Sequence, residues 1–220
     1  MFVRYDHRTL DVDIARRFYR DALGLSFTED ALAVWPLHEQ ARARGAPPHW
    51  LGQIGVADFE ATLKRFLDAG AERLGPIAKQ DGVDFTVLRD PFGAIVNLRA
   101  STKTPERRPI AWHHLHTKDL DRAWPFYAET FGWEDAGVVD DFQQFKWNGE
   151  IVGSMANTAR MPGVHTHWLY YFPVDDIEAT EAKIVAAGGE VFVKSDTKTG
   201  SHRLAACHDP QRAAFGIISR

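Results

Sequence analysis

Histidines are the residues of this sequence whose type and spacing could do chemistry, and they crowd its second half. Seven of the ten lie after residue 112. His114 and His116 alternate on one predicted strand and His167 lies on another, so their side chains could meet on one face of a sheet. We expect these three imidazoles to be the catalytic candidates, as general acid or base. Convergent nitrogens could instead bind zinc, nickel or iron.

Aromatic residues accompany the histidines on the same predicted strands. Trp112 precedes His114 by two positions, and Tyr171 follows His167 by four, so alternation places both rings on the histidine face. Together with Phe145 and Trp147 they are our ligand-binding candidates. A cavity lined by rings and imidazoles suits a flat, partly polar organic molecule. The ordinary alternative is that the rings form a core and the histidines merely pack or hydrogen-bond.

Composition excludes several classes of protein. The chain has 220 residues, 45% apolar residues and a formal charge of −4, with scattered basic residues. This balance offers no footprint for nucleic acid or an anionic membrane surface. No apolar run is long enough for a membrane span, and the single Cys207 cannot form an intramolecular disulfide. We expect a cytoplasmic protein.

An internal repeat organises the chain. Phe18-Tyr19 matches Phe126-Tyr127 at an offset of 126 − 18 = 108, and Trp50 matches Trp168 at an offset of 168 − 50 = 118. The repeat predicts one module at 1–100, a linker at 101–110 and a second module at 111–220. The ten-residue difference predicts that the first module is shortened, with one strand missing.

Periodicity predicts the same order of elements in both modules: a strand, a helix, and further strands. Asp11 or Asp13 should cap the first helix, which should end at Gly24. On the strand at Phe2–Arg8, the charged residues Arg4, Asp6 and Arg8 are expected to form a solvated face, or at most an anion-binding wall. In the second module, strands are predicted at 111–117, 142–147, 150–156, 166–174, 190–194, 203–208 and 213–219, with helices at 120–131 and 176–187.

These motifs resemble the vicinal oxygen chelate superfamily, which contains glyoxalase, bleomycin resistance protein and extradiol dioxygenase. The resemblance rests on Trp112-x-x-Leu-x-Thr-x-Asp119, Phe-Gly-Trp133, Trp168-x-x-Tyr-x-x-x-Val-x-Asp176 and the closing Asp-Pro turns. Within this superfamily the sequence is similar to the tandem glyoxalase-like proteins of bacteria, and the resemblance covers nearly the whole chain. The resemblance implies an α+β fold with two tandem modules, each of paired βαβββ units forming a half-barrel around a cavity.

Metal-using members of this superfamily place one ligand on each of three strands, typically His or Gln, His, and Glu. The matching positions here are Arg4, Leu51 and Asn97 in the first module, and Trp112, Leu169 and Gly216 in the second. None is a usual ligand for a first-row metal. The resemblance therefore predicts no metal at the family's position and no cofactor.

Two functions remain open at this point. One is metal-independent binding of a small aromatic or partly polar molecule in the second module. The other is an enzyme of the lyase, isomerase or dioxygenase type, using histidine acid–base catalysis or a relocated metal site. Exposed sheet edges could also pair two copies into a homodimer.

Overall fold

The computed structural model describes residues 1–27, 31–101, 103, 108–196 and 203–219, which fold into two mixed β-sheets and five helices. Residues 102 and 104–107 of the predicted linker lie outside the described residues. Each sheet draws its strands from one predicted module. The α+β fold class is confirmed.

The first sheet has seven strands, in the order β2-β1-β3-β7-β6-β4, with β5 also paired to β6. The strands are β1 (Phe2–Thr9), β2 (Leu32–Pro36), β3 (His49–Gly55), β4 (Glu72–Arg73), β5 (Ala78–Gln80), β6 (Val83–Arg89) and β7 (Ile95–Arg99). The helices of this module are α1 (Val12–Leu23), α2 (Glu39–Ala43) and α3 (Phe59–Asp68). The parallel pair of β1 and β2 is connected through α1, and the parallel pair of β3 and β7 through α3 and strands β4 to β6.

The second sheet has eight strands, in the order β13-β14-β15-β12-β8-β11-β10-β9. The strands are β8 (Trp112–His116), β9 (Glu134–Val139), β10 (Phe142–Trp147), β11 (Glu150–Ala156), β12 (His167–Pro173), β13 (Glu190–Asp196), β14 (Arg203–His208) and β15 (Ala214–Ser219). The helices are α4 (Leu120–Phe131) and α5 (Ile177–Ala186), and a short 3-10 helix spans Asn157–Arg160.

The modules differ between their first helix and their middle strand. Among the described residues, the first module has β2 alone in this region, whereas the second has β9, β10 and β11. The difference is therefore two strands, where the sequence comparison predicted the loss of one. In the first module, α2 and its flanking loops lie between β2 and β3.

The helix ends follow the predicted caps. The Asp11 carboxylate accepts hydrogen bonds from the backbone N–H groups of Asp13 and Ile14, so Asp11 is the N-cap of α1. Gly24 ends this helix with φ +66°, and Gly132 ends α4 with φ +66°. Glycine adopts this left-handed conformation without steric cost, which fixes both helix ends.

The compact units of the chain do not coincide with the repeat modules. One unit contains residues 1–4, 52–106 and 113–168, and the other contains residues 5–51, 107–112 and 169–220. Each unit thus combines half of the first module with half of the second.

Hydrogen bonds within each unit tie the two modules together. In the first unit, the Tyr127 hydroxyl donates to the buried Asp90 carboxylate at 2.6 Å, and Trp168 Nε1 donates to Tyr127 Oη at 3.3 Å. In the second unit, Trp50 Nε1 donates to Tyr19 Oη at 2.8 Å, and Tyr19 donates to Asp209 at 3.3 Å. The repeated tryptophan, tyrosine and Asp-Pro motifs therefore build structure.

Candidate functional site

Three adjacent strands bring a row of polar side chains together in the first unit. Gln144 on β10 pairs with Ser154 on β11, and Ser154 pairs with His114 on β8. Paired residues project from the same face of a sheet, and all three side chains are at most 5% exposed. The row is therefore a buried polar strip that crosses three strands.

His114 is the centre of this strip. Its Nδ1 lies 2.8 Å from Ser154 Oγ, whereas its Nε2 is buried and has no hydrogen-bond partner among the described residues. Burial is the main cause that lowers the pKa of His114 to about 3, and the nearby His167 lowers it further. The ring is consequently a neutral imidazole at physiological pH, with one nitrogen still able to form a hydrogen bond.

His116 and His167 complete a cluster of rings with His114. The ring centroids of His114 and His116 are 4.4 Å apart, and those of His116 and His167 are 4.6 Å apart and nearly parallel. His116 Nδ1 lies 2.6 Å from Thr158 Oγ1, and burial lowers the pKa of His116 to about 2. His167 is half-buried, and its Nδ1 donates to the carbonyl oxygen of His165 at 2.8 Å.

The rings of the cluster make one edge-to-face and one stacked contact, and metal coordination would need a different geometry. Zinc-type sites need nitrogens converging at about 2.0–2.1 Å on one point. In the part of the chain that the structure describes, no group of three His, Cys, Asp or Glu side chains is placed to hold a metal ion.

The remaining predicted binding residues lie elsewhere. Phe145 is 1% exposed and stacks on Trp133 with ring centroids 4.4 Å apart, so it belongs to the core on the opposite face from Gln144. Trp147 pairs with Glu150 at the β10–β11 hairpin. In the second unit, Tyr171 and Trp112 pack in an apolar cluster with Leu169, Ala206 and Ile218.

Phe142, Ser154 and Thr158 were not predicted as site residues. The Phe142 ring lies 5.2 Å from the His114 ring, and Ser154 and Thr158 are the hydroxyl partners of the two histidines. Strand alternation could have placed Phe142 and Gln144 on one face of β10. The alignment of Gln144 with Ser154 and of Ser154 with His114 depends on strand register, which the sequence does not reveal.

The family's metal position in the second module is filled by protein. A Cβ built at Gly216 would collide with ring carbons of Tyr171, its partner in the pairing of β12 and β15. A glutamate therefore cannot replace Gly216 unless the tyrosine ring moves. Leu169 and Trp112 offer no ligand atoms, so the residues present do not fit the family's metal.

In the first module, the expected solvated face of Arg4, Asp6 and Arg8 is wrong for two of its residues. Arg4 is 3% exposed and Asp6 is 0% exposed. Arg8 Nη2 lies 3.2 Å from Asp6 Oδ2, which stabilises the buried carboxylate. Charged residues alternating on a strand resemble a solvated face in sequence, but ion pairing lets them be buried.

None of the helices among the described residues is both long and apolar enough to cross a lipid bilayer.

Comparison with known proteins identifies one relative over nearly the whole chain and another over half of it. "Putative glyoxylase CFP32" of Mycobacterium tuberculosis is 28% identical over 242 residues, which cover 97% of this chain and 92% of that protein. The anthracycline biosynthesis protein DnrV of Streptomyces peucetius is 31% identical over 125 residues, 49% of this chain and 45% of that protein.

Solved structures share the fold at lower identity. The Mn(II)-bound glyoxalase from Novosphingobium aromaticivorans has a TM-score of 0.67 at 14% identity, covering 99% of this chain and 81% of that chain. The 2,3-dioxygenase LapB from Pseudomonas sp. KL28 has a TM-score of 0.66 at 12% identity, covering 100% and 91%.

The model of the glyoxalase/bleomycin resistance protein/dioxygenase superfamily matches residues 110–217. The second predicted module is therefore similar to this superfamily over residues 110–217, and the chain shares its fold with the two solved structures.

Proposed function

We propose that this protein binds a small, flat, partly polar organic molecule at the histidine cluster of its second module, without the metal that the family uses. The observation that carries the proposal is His114 Nε2, a buried nitrogen with no hydrogen-bond partner among the described residues. A buried polar atom left unpaired costs about 1–3 kcal/mol. A ligand atom that pairs with it would recover that free energy.

The tautomer of His114 decides which ligand group is bound. If Ser154 donates to Nδ1, then Nε2 carries the proton and would donate to a carbonyl or phenol oxygen. If Nδ1 donates to Ser154, then Nε2 would accept from a hydroxyl or amide. Both cases favour a neutral polar group, because burial keeps the imidazole uncharged.

The rings around His114 support an aromatic or otherwise flat ligand. Phe142 is 36% exposed beside His114, and His116 and His167 extend the wall of rings. Stacked and edge-to-face contacts with such a wall are worth about 0.5–1.5 kcal/mol each beyond the area that they bury.

The lowered pKa values favour binding over acid–base catalysis at this site. An efficient general base has a pKa near the working pH. The pKa of His114 is lowered to about 3 and that of His116 to about 2, so neither takes up a proton readily near neutrality.

Calorimetric titration with phenol as the probe tests the proposal. We expect saturable binding of phenol to wild-type protein after treatment with a chelator. His114→Leu should bind phenol at least about tenfold more weakly than wild type. His165→Ala, which removes an exposed histidine from the same region, should bind like wild type. Equal affinity in wild type and His114→Leu, or binding that disappears with the chelator and returns with a metal, would overturn the proposal.

A further inference from the structure

The first module contains a second buried polar cluster, separate from the histidines. Gln53 on β3 pairs with Asn97 on β7, and Arg99 follows two positions later, so all three project from one face. Gln53 and Asn97 are 0% exposed and Arg99 is 8% exposed. All three belong to the first compact unit.

Asn97 is the unusual member of this cluster. Neither its Oδ1 nor its Nδ2 has a hydrogen-bond partner among the described residues, although both atoms are buried. Buried side-chain amides are nearly always paired, so this residue calls for an explanation. An amide that can both donate and accept, aligned with a guanidinium, is suited to a polar ligand group.

Arg99 supplies the charge. Its guanidinium donates to Gln53 Oε1 at 3.4 Å, to Gln80 Oε1 at 3.3 Å and to the Gln80 carbonyl oxygen at 3.3 Å, all neutral acceptors. These contacts are long, and they satisfy donors without neutralising the charge. The negative charge near Arg99 is that of Asp81, which lies at a longer distance.

A carboxylate already lies between two arginines here. Asp81 Oδ2 is 3.5 Å from Arg99 Nη2 and 3.8 Å from Arg4 Nη1, while the Asp81 side chain is 70% exposed. Both distances exceed those of good charge-assisted hydrogen bonds, which are about 2.7–2.9 Å. Asp81 lies in the β5–β6 turn with φ +55°, so it covers the cluster from the surface.

We propose that this cluster is a binding site for the carboxylate of a small organic acid, with Arg99 and Asn97 as its central contacts and Asp81 as a competing internal carboxylate. A planar carboxylate matches the fork of a guanidinium, and the position of Asp81 places such a group between Arg4 and Arg99. The site is independent of the histidine cluster.

Acetate is the probe, with acetamide as its neutral isostere and chloride at equal ionic strength as the salt control. The side-chain amide signals of Asn97 in an NMR titration report binding directly. We expect saturable shifts with acetate and none with acetamide or chloride. Because an exposed ion pair contributes little, Asp81→Asn should tighten acetate binding about twofold to fivefold.

Two variants each remove a central contact of the site, and a third variant is the control. Arg99→Gln and Asn97→Leu should each weaken acetate binding about tenfold or more, as measured by calorimetry. Arg89→Gln removes an equal charge from an exposed position on β6 and should bind like wild type. Asn97→Leu should fold well, since an apolar isostere replaces an amide that has no partner.

If acetate binds only to Asp81→Asn, the competing role of Asp81 is supported. The proposal is overturned if neither wild type nor Asp81→Asn distinguishes acetate from chloride. It is also overturned if Asn97→Leu binds acetate as tightly as wild type.

Discussion

At the scale of single residues, both proposed binding sites rest on buried polar atoms without hydrogen-bond partners among the described residues. Alternation along β8 predicted that His114 and His116 share a face, and the structure places His167 beside them. The sequence could not indicate that Ser154 would pair with His114, since that depends on the register of β8 with β11. The sequence also gave no sign that burial would lower the pKa values of His114 and His116.

The buried neutral state of His114 predicts that the protein loses stability in acid. The pKa of His114 is lowered from 6.5 to about 3 in the folded state, so the unfolded chain binds more protons between these values. Stability should therefore be constant above pH 6.5 with respect to this group and fall as the pH drops below it. From pH 6.5 to 5, one such group removes up to about 2 kcal/mol from the free energy of unfolding.

Urea unfolding at pH 7.5 and pH 5 measures this effect. The difference between the two pH values should shrink in His114→Leu and stay unchanged in His165→Ala, which alters an exposed histidine. An identical acid loss in wild type and His114→Leu would show that His114 is already protonated or exposed in the folded protein.

At the scale of elements, most of the fold was predictable. The pattern placed β10 and β11 at their observed bounds and located α4 correctly, because alternation and helix caps are local signals. Strand β9 was missed, since Glu134–Val139 carries charge and a glycine and forms an edge of the sheet. The burial of Arg4 and Asp6 depends on ion pairs and neighbouring strands, which local patterns do not report.

The pairing of β12 with β15 explains why the family's metal position is closed. The Tyr171 ring lies over Gly216 and occupies the space that a larger side chain would need. Gly216→Ala should lower the free energy of unfolding by about 1–3 kcal/mol, because the ring must move. Chemical unfolding measures the loss.

A matched control separates crowding from the general cost of changing a glycine. Gly75→Ala has open space around the new methyl group and should leave stability within about 0.5 kcal/mol of wild type. The double variant Tyr171→Leu/Gly216→Ala should lose less than the sum of its parts. Strict additivity would mean that the ring does not occupy this position.

At the scale of the whole molecule, hydrogen bonds connect residues of the two predicted modules within each compact unit. Tyr127 of the second module donates to Asp90 of the first, and Tyr19 of the first donates to Asp209 of the second. Each compact unit therefore takes half of its structure from each module. The sequence predicted the repeat, but it did not indicate that a tyrosine of each module would hydrogen-bond to an aspartate of the other.

These hydrogen bonds between the modules predict that neither module is stable alone. Residues 1–100 or 111–220 expressed separately would leave the carboxylate of Asp90 or Asp209 without its tyrosine, and large aromatic faces uncovered. We expect each fragment to lack a cooperative thermal transition, and the two together to recover one as a 1:1 complex. A second module that unfolds cooperatively on its own would contradict this account.

The central claim is that His114 is a neutral imidazole whose Nε2 awaits a ligand hydrogen bond. The most direct test is the ¹⁵N NMR spectrum of its ring nitrogens from pH 5 to 7.5, with and without phenol. We predict one neutral tautomer throughout this range and a shift of the Nε2 signal as phenol saturates the site. A signal that titrates to the imidazolium form near pH 6.5, or an Nε2 signal unmoved by bound phenol, would contradict the claim.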